Sequence, residues 1–355
     1  MNRFVLLCSD CVQVHRSLGR QISQVKSLRD PSWSQSSHLL NLIYELYSQG
    51  SNSIWEHLLL ESCLSTPRKT LNSKNAVPKK KPQPQDPLFP TKEDFIRAKY
   101  ANLAYTNKSV WNDVNEDASV ESNFSDSSNK SSKYQSVIDD LSQQLHSAVR
   151  TPNLKVSLRL LASGADVNYI HVDKGYTTPV HVAANSNQIL QLELLLAFGA
   201  DPLKRDSNAK QAVTVAQEQG FIDIVERLMT APHVVTDRLY VFLTGKRSVT
   251  ENGPQISYPI GGHLSDKNAL QSLADPVFEE LVKDVYDEVD RRETNESLSS
   301  LKAMTLVPFL PVNVSLSSTR NQSRQKLATL IRHEFNYLII DILNEAHRRL
   351  EEEAL

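Results

Sequence analysis

Apolar residues recur along this chain at helical spacing, and polar stretches separate the runs. His38 to Tyr47 places Leu39, Ile43 and Leu46, with Leu40, Tyr44 and Tyr47, on one broad helical face, and Gly50 supplies a stop. Asn52 to Leu60 continues as a second short helix around Trp55. Residues 64–92 shift to proline, lysine and serine, a composition that buries no core and predicts an extended insert. Glu93 to Ala104 returns to helical pattern, with Phe95, Ile96, Tyr100 and Leu103 on the apolar side. Residues 105–134 are rich in serine, asparagine and aspartate without sustained periodicity, and predict a disordered connection.

Beyond that connection the chain repeats itself twice over. Leu160-Leu-Ala-Ser-Gly-Ala-Asp166 recurs as Leu195-Leu-Ala-Phe-Gly-Ala-Asp201, an offset of 35 residues. Thr178-Pro-Val-His-Val-Ala183 before the second copy is close to the ankyrin signature, and a degenerate third unit runs from Lys210 to Leu228. In the two matching copies the paired leucine buries the second helix and a left-handed glycine closes it. Three units are about the minimum for a stable stack, so residues 135–230 predict an ankyrin domain. His181 then reads as a structural histidine bonding within its turn. Residues 231–272 form a connecting segment with one docked helix, Thr236 to Leu243.

The second repeat has an offset of 57. Phe278, Leu281, Val282, Val285 and Val289 match Phe335, Leu338, Ile339, Ile342 and Ala346, an apolar stripe at i, i+3, i+4, i+7 and i+11. Asp284, Glu288, Arg291 and Arg292 recur as Asp341, Glu345, Arg348 and Arg349. Matched charges on matched stripes predict a docking surface carried by residues 273–293 and 320–350. Solvated amphipathic helices are the plainer meaning of the same pattern.

Composition removes several alternatives. A formal net charge of −2 gives no basic field of the kind that drives nucleic-acid binding. Three cysteines are too few for a disulfide framework, which points to a reducing compartment. The apolar run from Phe4 to Leu7 is too short for a signal segment, and no stretch approaches a membrane span, so the expectation is a cytosolic chain. Lys79-Lys80-Lys81 leaves a peripheral contact with anionic lipid open, although solvated linker charge is the commoner meaning of such a run. No Gly-rich phosphate loop, serine-nucleophile context or histidine cluster stands out.

The one constellation with chemistry is Cys8-x-x-Cys11-x4-Arg16. Thiolates at this spacing can grip one side of a tetrahedral zinc ion. A redox pair would normally follow a strand in a thioredoxin-like unit, and a chance pair would need no explanation. An arginine leaving such a metal knuckle would be held rigidly and pointed outward, fit to neutralise a phosphoryl group in another protein's site. A surface arginine in a salt bridge is the alternative.

Cys-x-x-Cys-x4-Arg, followed by Ser17-Leu-Gly19, Ile22-Ser23-x-Val25-Lys-Ser-Leu28 and Asp30-x-x-Trp33, resembles the zinc-finger GTPase-activating domain of the Arf GAP family. Asn52-Ser-Ile-Trp-Glu56, Phe95-Ile-Arg-Ala-Lys-Tyr100 and the two repeats narrow the resemblance to the GIT subgroup. The resemblance implies a mainly α protein. Residues 1–104 would be an Arf GAP domain with a truncated zinc finger of the four-cysteine type and a small sheet plus helices. Three ankyrin units and two helical Spa-homology repeats would follow.

It further implies an activator of GTP-bound Arf-family GTPases, with Arg16 as the arginine finger and one zinc held by Cys8 and Cys11. It implies a scaffold for a PIX-type Rho exchange factor and signalling kinases, recruited to endosomal membranes or adhesion sites. Phe278, Leu281, Val285, Arg291, Arg292, Phe335, Leu338, Ile342, Arg348 and Arg349 would carry the docking. Ile22, Trp33 and Asn52 would be framework. The other half of the finger should lie upstream of Cys8, which has seven residues before it, and Cys63 lies far downstream. The expectation is therefore a finger cut short and a chain truncated at both ends. Gln21 stands where the family usually has histidine. A scaffold without catalytic assistance is the alternative that half a finger leaves open.

Overall fold

A computed structural model gives the structure and describes residues 3–20, 22–28, 37–62, 80–106, 127–244, 270–299, 306–313 and 315–353. Expectations resting on Gln21, Asp30, Trp33, Cys63 and Lys79 lie outside these residues. The protein is mainly helical. It forms two compact bodies, Met1–His15 with Leu28–Pro232, and Arg16–Ser27 with His233–Leu355. Among the described residues no sheet forms, and extended pairing is confined to the isolated bridges His171–Thr177 and Arg205–Gln211. No described helix is long and apolar enough to cross a membrane.

In the first body, α1 spans Ser9–Ser17, its last two residues counting with the second body, and α2 spans Ser37–Ser48. The buried stripe of α2 is Leu42, Ile43 and Leu46, narrower than the spacing suggested. Tyr44 and Tyr47 are 71% and 59% exposed, because a 3.6-residue turn carries them well round the helix from Leu42 and Leu46. Gly50 takes φ +68°, the left-handed stop.

Two short helices follow, α3 (Asn52–Trp55) and α4 (His57–Ser62), parted at Glu56. Trp55 is fully buried and its indole N–H donates to the Arg3 carbonyl at 3.1 Å. After Phe89, whose backbone is extended, a helical stretch runs to Ala101 with wide turns on both sides of α5 (Glu93–Ile96) and returns to this region. Phe95 and Ala98 from it join Tyr105 and Leu59 in one apolar cluster. The helix stops at Ala101, short of the expected Ala104, and Leu103 adopts a positive φ.

Lys99, nearly buried, donates from Nζ to Glu56 and to Asn52, both at 2.7 Å. Lys81 adds a second ammonium to Glu56, so the carboxylate binds the end of the proline-rich insert to the domain. The described end of that insert is thus engaged by a charge pair that composition does not foretell.

The ankyrin part has three helix pairs. These are α6 (Ser127–Ala148) with α7 (Leu154–Ala162), α8 (Pro179–Asn185) with α9 (Ile189–Ala197), and α10 (Ala212–Gln219) with α11 (Ile222–Thr230). α6 begins at Ser127, inside the stretch expected as a disordered connection. Once Leu141, Leu145 and Val149 are packed, each further residue extends a formed helix for one hydrogen bond. Gly164 and Gly199 close α7 and α9 at φ +100° and +86°, as their place after the paired leucines requires.

Thr178 and His181 form a capping box at the start of α8: the Thr178 N–H donates to His181 Nδ1, and His181 Nε2–H donates to the Lys210 carbonyl at 3.1 Å. His181 is structural. α2 packs on α7 and α9, the Lys155 N–H donates to Gln49 Oε1, and the Phe4 ring stacks on Phe198. The finger helices and the ankyrin stack are therefore one body.

The second body contains α12 (Val234–Thr244), α13 (Asp275–Ser299), α14 (Ser318–Lys326) and α15 (Arg332–Glu353). Its core is the apolar stripe of both 57-residue copies, Phe278, Val285 and Val289 against Phe335, Ile339 and Ile342, with Leu239 of α12.

Candidate functional site

Cys8 precedes the first turn of α1, where backbone N–H groups have no helical carbonyl to meet. Its sulfur receives the N–H groups of Cys11 and Asp10 and the Cys11 thiol. Burial pushes the Cys8 thiol up, but those hydrogen bonds outweigh it and hold the thiol below the usual cysteine range. Cys11 is pushed up to about 11, first by burial and then by its bond to Cys8. The two sulfurs lie against each other at the start of one helix, a spacing that suits two of the four thiolate positions of a zinc knuckle. Among the described residues no group of three or more His, Cys, Asp and Glu could hold a metal, so these two sulfurs fit half of such a site.

Arg16, on the same helix as Cys11, does not point outward. It is 9% exposed and its Nη2 donates to Asn295 Oδ1 on α13. The amide of Asn295 is itself fixed by a pair of bonds with the Val307 backbone, at 2.9 and 3.2 Å. Arg16 Nη1 is buried without an acceptor among the described residues. Burial, and then the neighbouring guanidinium of Arg291, lower its pKa against a smaller opposite effect of Asp290. Two further contacts bind the segment after Arg16. Arg20 Nη1 pairs with Asp287 at 2.6 Å while its guanidinium lies 4.1 Å from the Tyr286 ring, and Gln24 Nε2 donates to Asp290 at 3.3 Å.

Where the two copies of the 57-residue repeat differ explains these contacts. Tyr286, Asp287 and Asp290 correspond to Leu343, Asn344 and His347. The first copy carries a ring and two carboxylates where the segment from Arg16 to Gln24 lies on it, whereas Asn344 and His347 of the second are exposed. Asking where the copies disagree, rather than where they match, would have found this face in the sequence.

The matched residues do something else. Phe278, Val285, Phe335 and Ile342 are core, and Leu281 and Leu338 pack against it half-buried. The stripe expected at a docking surface faces the opposite repeat, because each helix alone would leave it in water.

The paired arginines are reciprocal clamps. Arg291 and Arg292 both hold Glu288, which is fully buried, and Arg348 and Arg349 both hold Glu345. Arg292 then crosses to donate to the Leu327 and Leu330 carbonyls and lies 4.0 Å from the Phe335 ring. Arg349 does the same with Leu270, Leu273 and the Phe278 ring at 4.3 Å. Each partner differs from its counterpart by the same 57 residues, so the repeat folds as an internal pair around an approximate two-fold.

Comparison with known proteins finds three family models along this chain. A family model described as putative GTPase activating protein for Arf matches residues 1–109, one for the ankyrin repeat matches 176–207, and one for the Spa2 homology domain of GIT matches 270–294 and 324–350. ARF GTPase-activating protein GIT2 of Rattus norvegicus is 44% identical over 365 residues, spanning 98% of this chain and 44% of its own length. GIT1 of Homo sapiens is 42% identical over 369 residues, 100% of this chain and 44% of that protein. Git of Drosophila melanogaster is 44% identical over 359 residues, 98% and 46% respectively. The chain spans less than half the length of these relatives.

Proposed function

We propose that this chain, which belongs over the length it spans to the GIT family of Arf GTPase-activating proteins, speeds GTP hydrolysis on an Arf-type small GTPase by lending it Arg16. The observation that carries the reading is the order of segments: a match to the Arf-directed domain over residues 1–109, with the arginine on the helix that leaves the thiol pair. The guanidinium brings a fork of N–H donors and a permanent charge to the oxygens of the phosphoryl group in transfer. Hydrolysis belongs to the GTPase, so the chain acts as an activator and not as an enzyme on its own substrate.

Cys8 and Cys11 would give two thiolates to zinc, which when bound fixes the start of α1. Asn52, Glu56 and Lys99 are framework behind that helix's domain.

The same chain serves as a scaffold. The ankyrin body and the Spa-homology body would receive a PIX-type Rho exchange factor and signalling kinases, at endosomal membranes or adhesion sites. Because the repeat stripe is core, Phe278, Leu281, Val285, Phe335, Leu338 and Ile342 would shape the dock rather than touch the partner. Arg291, Arg292, Arg348 and Arg349 clamp it. The domain limits that go with this reading are residues 1–104, 135–230, 273–293 and 320–350.

A second reading, scaffolding without catalytic assistance, is favoured by the burial of Arg16 and by a described metal set of two sulfurs. Single-turnover hydrolysis of GTP on an Arf protein, with this chain and with Arg16→Ala, separates the two. A loss on the order of 10³-fold or more is expected for an arginine finger. Equal rates would leave the scaffold.

A further inference from the structure

Arg16, Arg20 and Gln24 meet α13 at Asn295, Asp287 with Tyr286, and Asp290. The quality of these contacts is uneven. Arg20 has a carboxylate and a ring face, and the second oxygen of Asp287 is fixed by Arg324 at 3.1 Å. Arg16 has one neutral amide oxygen, a like charge at Arg291 and a buried donor without an acceptor among the described residues. An arginine so placed is held but poorly satisfied, since its acceptor brings no negative charge to offset the burial of the guanidinium. The acceptor is nevertheless rigid, because Val307 holds both ends of the Asn295 amide and also receives Arg291 at 2.7 Å.

We infer that this is an autoinhibitory latch: Arg20 and Gln24 tether the segment to α13, while Arg16 rests on Asn295 and leaves it for the charged oxygens of a bound nucleotide's phosphate. Asn295 thus competes with the nucleotide for the guanidinium. The purpose of the latch rests on the proposed role of Arg16, whereas the contact itself does not, and the two can be tested apart.

The contact is read by the rate at which phenylglyoxal modifies Arg16, followed by mass spectrometry on the whole chain with its other arginines as internal standards. Asn295→Ala removes the acceptor and should speed modification about tenfold, the worth of one hydrogen bond to a charged group. Asn295→Asp gives up the Nδ2 bond to the Val307 carbonyl, keeps an oxygen for Arg16 and for the Val307 N–H, adds the missing charge, and should slow it several-fold. Opposite signs in the two variants are not expected of a residue that only stabilises the fold. The aspartate variant also reads the latch if the alanine variant fails to fold.

In single-turnover Arf hydrolysis, Asn295→Ala should be faster than the parent, Asn295→Asp slower, and Arg16→Ala with Asn295→Ala no faster than Arg16→Ala alone. Modification rates that stay unchanged, or that move in the same direction in both variants, overturn the latch whatever the hydrolysis shows. If modification shifts as expected but Arg16→Ala leaves hydrolysis unaltered in the Asn295→Ala background, the latch stands and the role of Arg16 at the nucleotide falls.

Discussion

Arg292→Ala should open the second body from both sides of its internal two-fold. The guanidinium makes two bonds to main-chain carbonyls, at 3.0 and 2.8 Å, one to Glu288 at 2.7 Å, and stacks on Phe335 at 4.0 Å. Arg291 stays on Glu288 after the substitution, so the buried carboxylate is not orphaned. The loss is then the carbonyl bonds and the stacking, together about 3–4 kcal/mol with the side chain largely shielded from water. Arg292→Lys should recover less than half, because an ammonium cannot serve two carbonyls and a carboxylate in one plane.

Trp55, the described tryptophan, sits in the first body and would not see this change. Native-state hydrogen exchange read by mass spectrometry would. Protection in Asp275–Ser299 and in Arg332–Glu353 should fall together by about 100- to 1000-fold, since 1.4 kcal/mol is tenfold. Arg349→Ala should reproduce the pattern from the other copy. A fall under tenfold, or one confined to a single helix, would refute the reciprocal clamp.

Other substitutions follow from the first body. His146 is fully buried and its pKa is lowered to about 4, first by burial and then by the charges of His171, Lys174 and Arg150. It stays neutral in the fold while the unfolded chain protonates near 6.5. Its contribution should therefore be whole above pH 6.5, decline as pH falls, and be spent below about 4, a total of at most about 3 kcal/mol. Urea unfolding followed by hydrogen exchange of Leu154–Ala162 at pH 7 and 4.5 measures this, and His146→Gln should flatten the difference. Lys99→Met leaves Glu56 with Lys81 alone and should cost about 3 kcal/mol, much of it restored by adding Glu56→Gln. The midpoint of Trp55 fluorescence in urea reports both. Gly199→Ala meets no atom within 4 Å but must hold φ +86°, so a loss of about 1–2 kcal/mol is expected from the backbone alone, seen as a small drop in melting temperature.

Local pattern carried much of this architecture. The paired leucines, the glycines after them and Thr178-Pro179 at the start of α8 specify ankyrin units, because caps and stripes act within a few residues of themselves. His146 shows how faint a local signal can be. It stands 35 residues before His181, and its Nε2 meets Thr177 Oγ1 as His181 Nε2 meets the Lys210 carbonyl. Thr-Pro is missing beside it, and only Leu145-His-Ser-Ala148, the last four places of the ankyrin signature, marks the position. Tyr44 and Tyr47 lie on the predicted apolar face yet outside the buried stripe, because apolarity alone does not say how wide a stripe the neighbouring surface can cover.

By itself the sequence determined most of the apolar helical stripes, the two repeat lengths, the thiol pair and the arginine that follows it, since each is written in residue type and spacing. It could not determine which way the matched stripes of the second repeat face, or that Arg16 rests on Asn295, because those are contacts between segments about 57 and 279 residues apart. Such contacts depend on how whole surfaces fit, and only the tertiary structure brings those surfaces together. The physical reason is the one that separates a stripe from a core: period says a face is apolar, and packing decides what covers it.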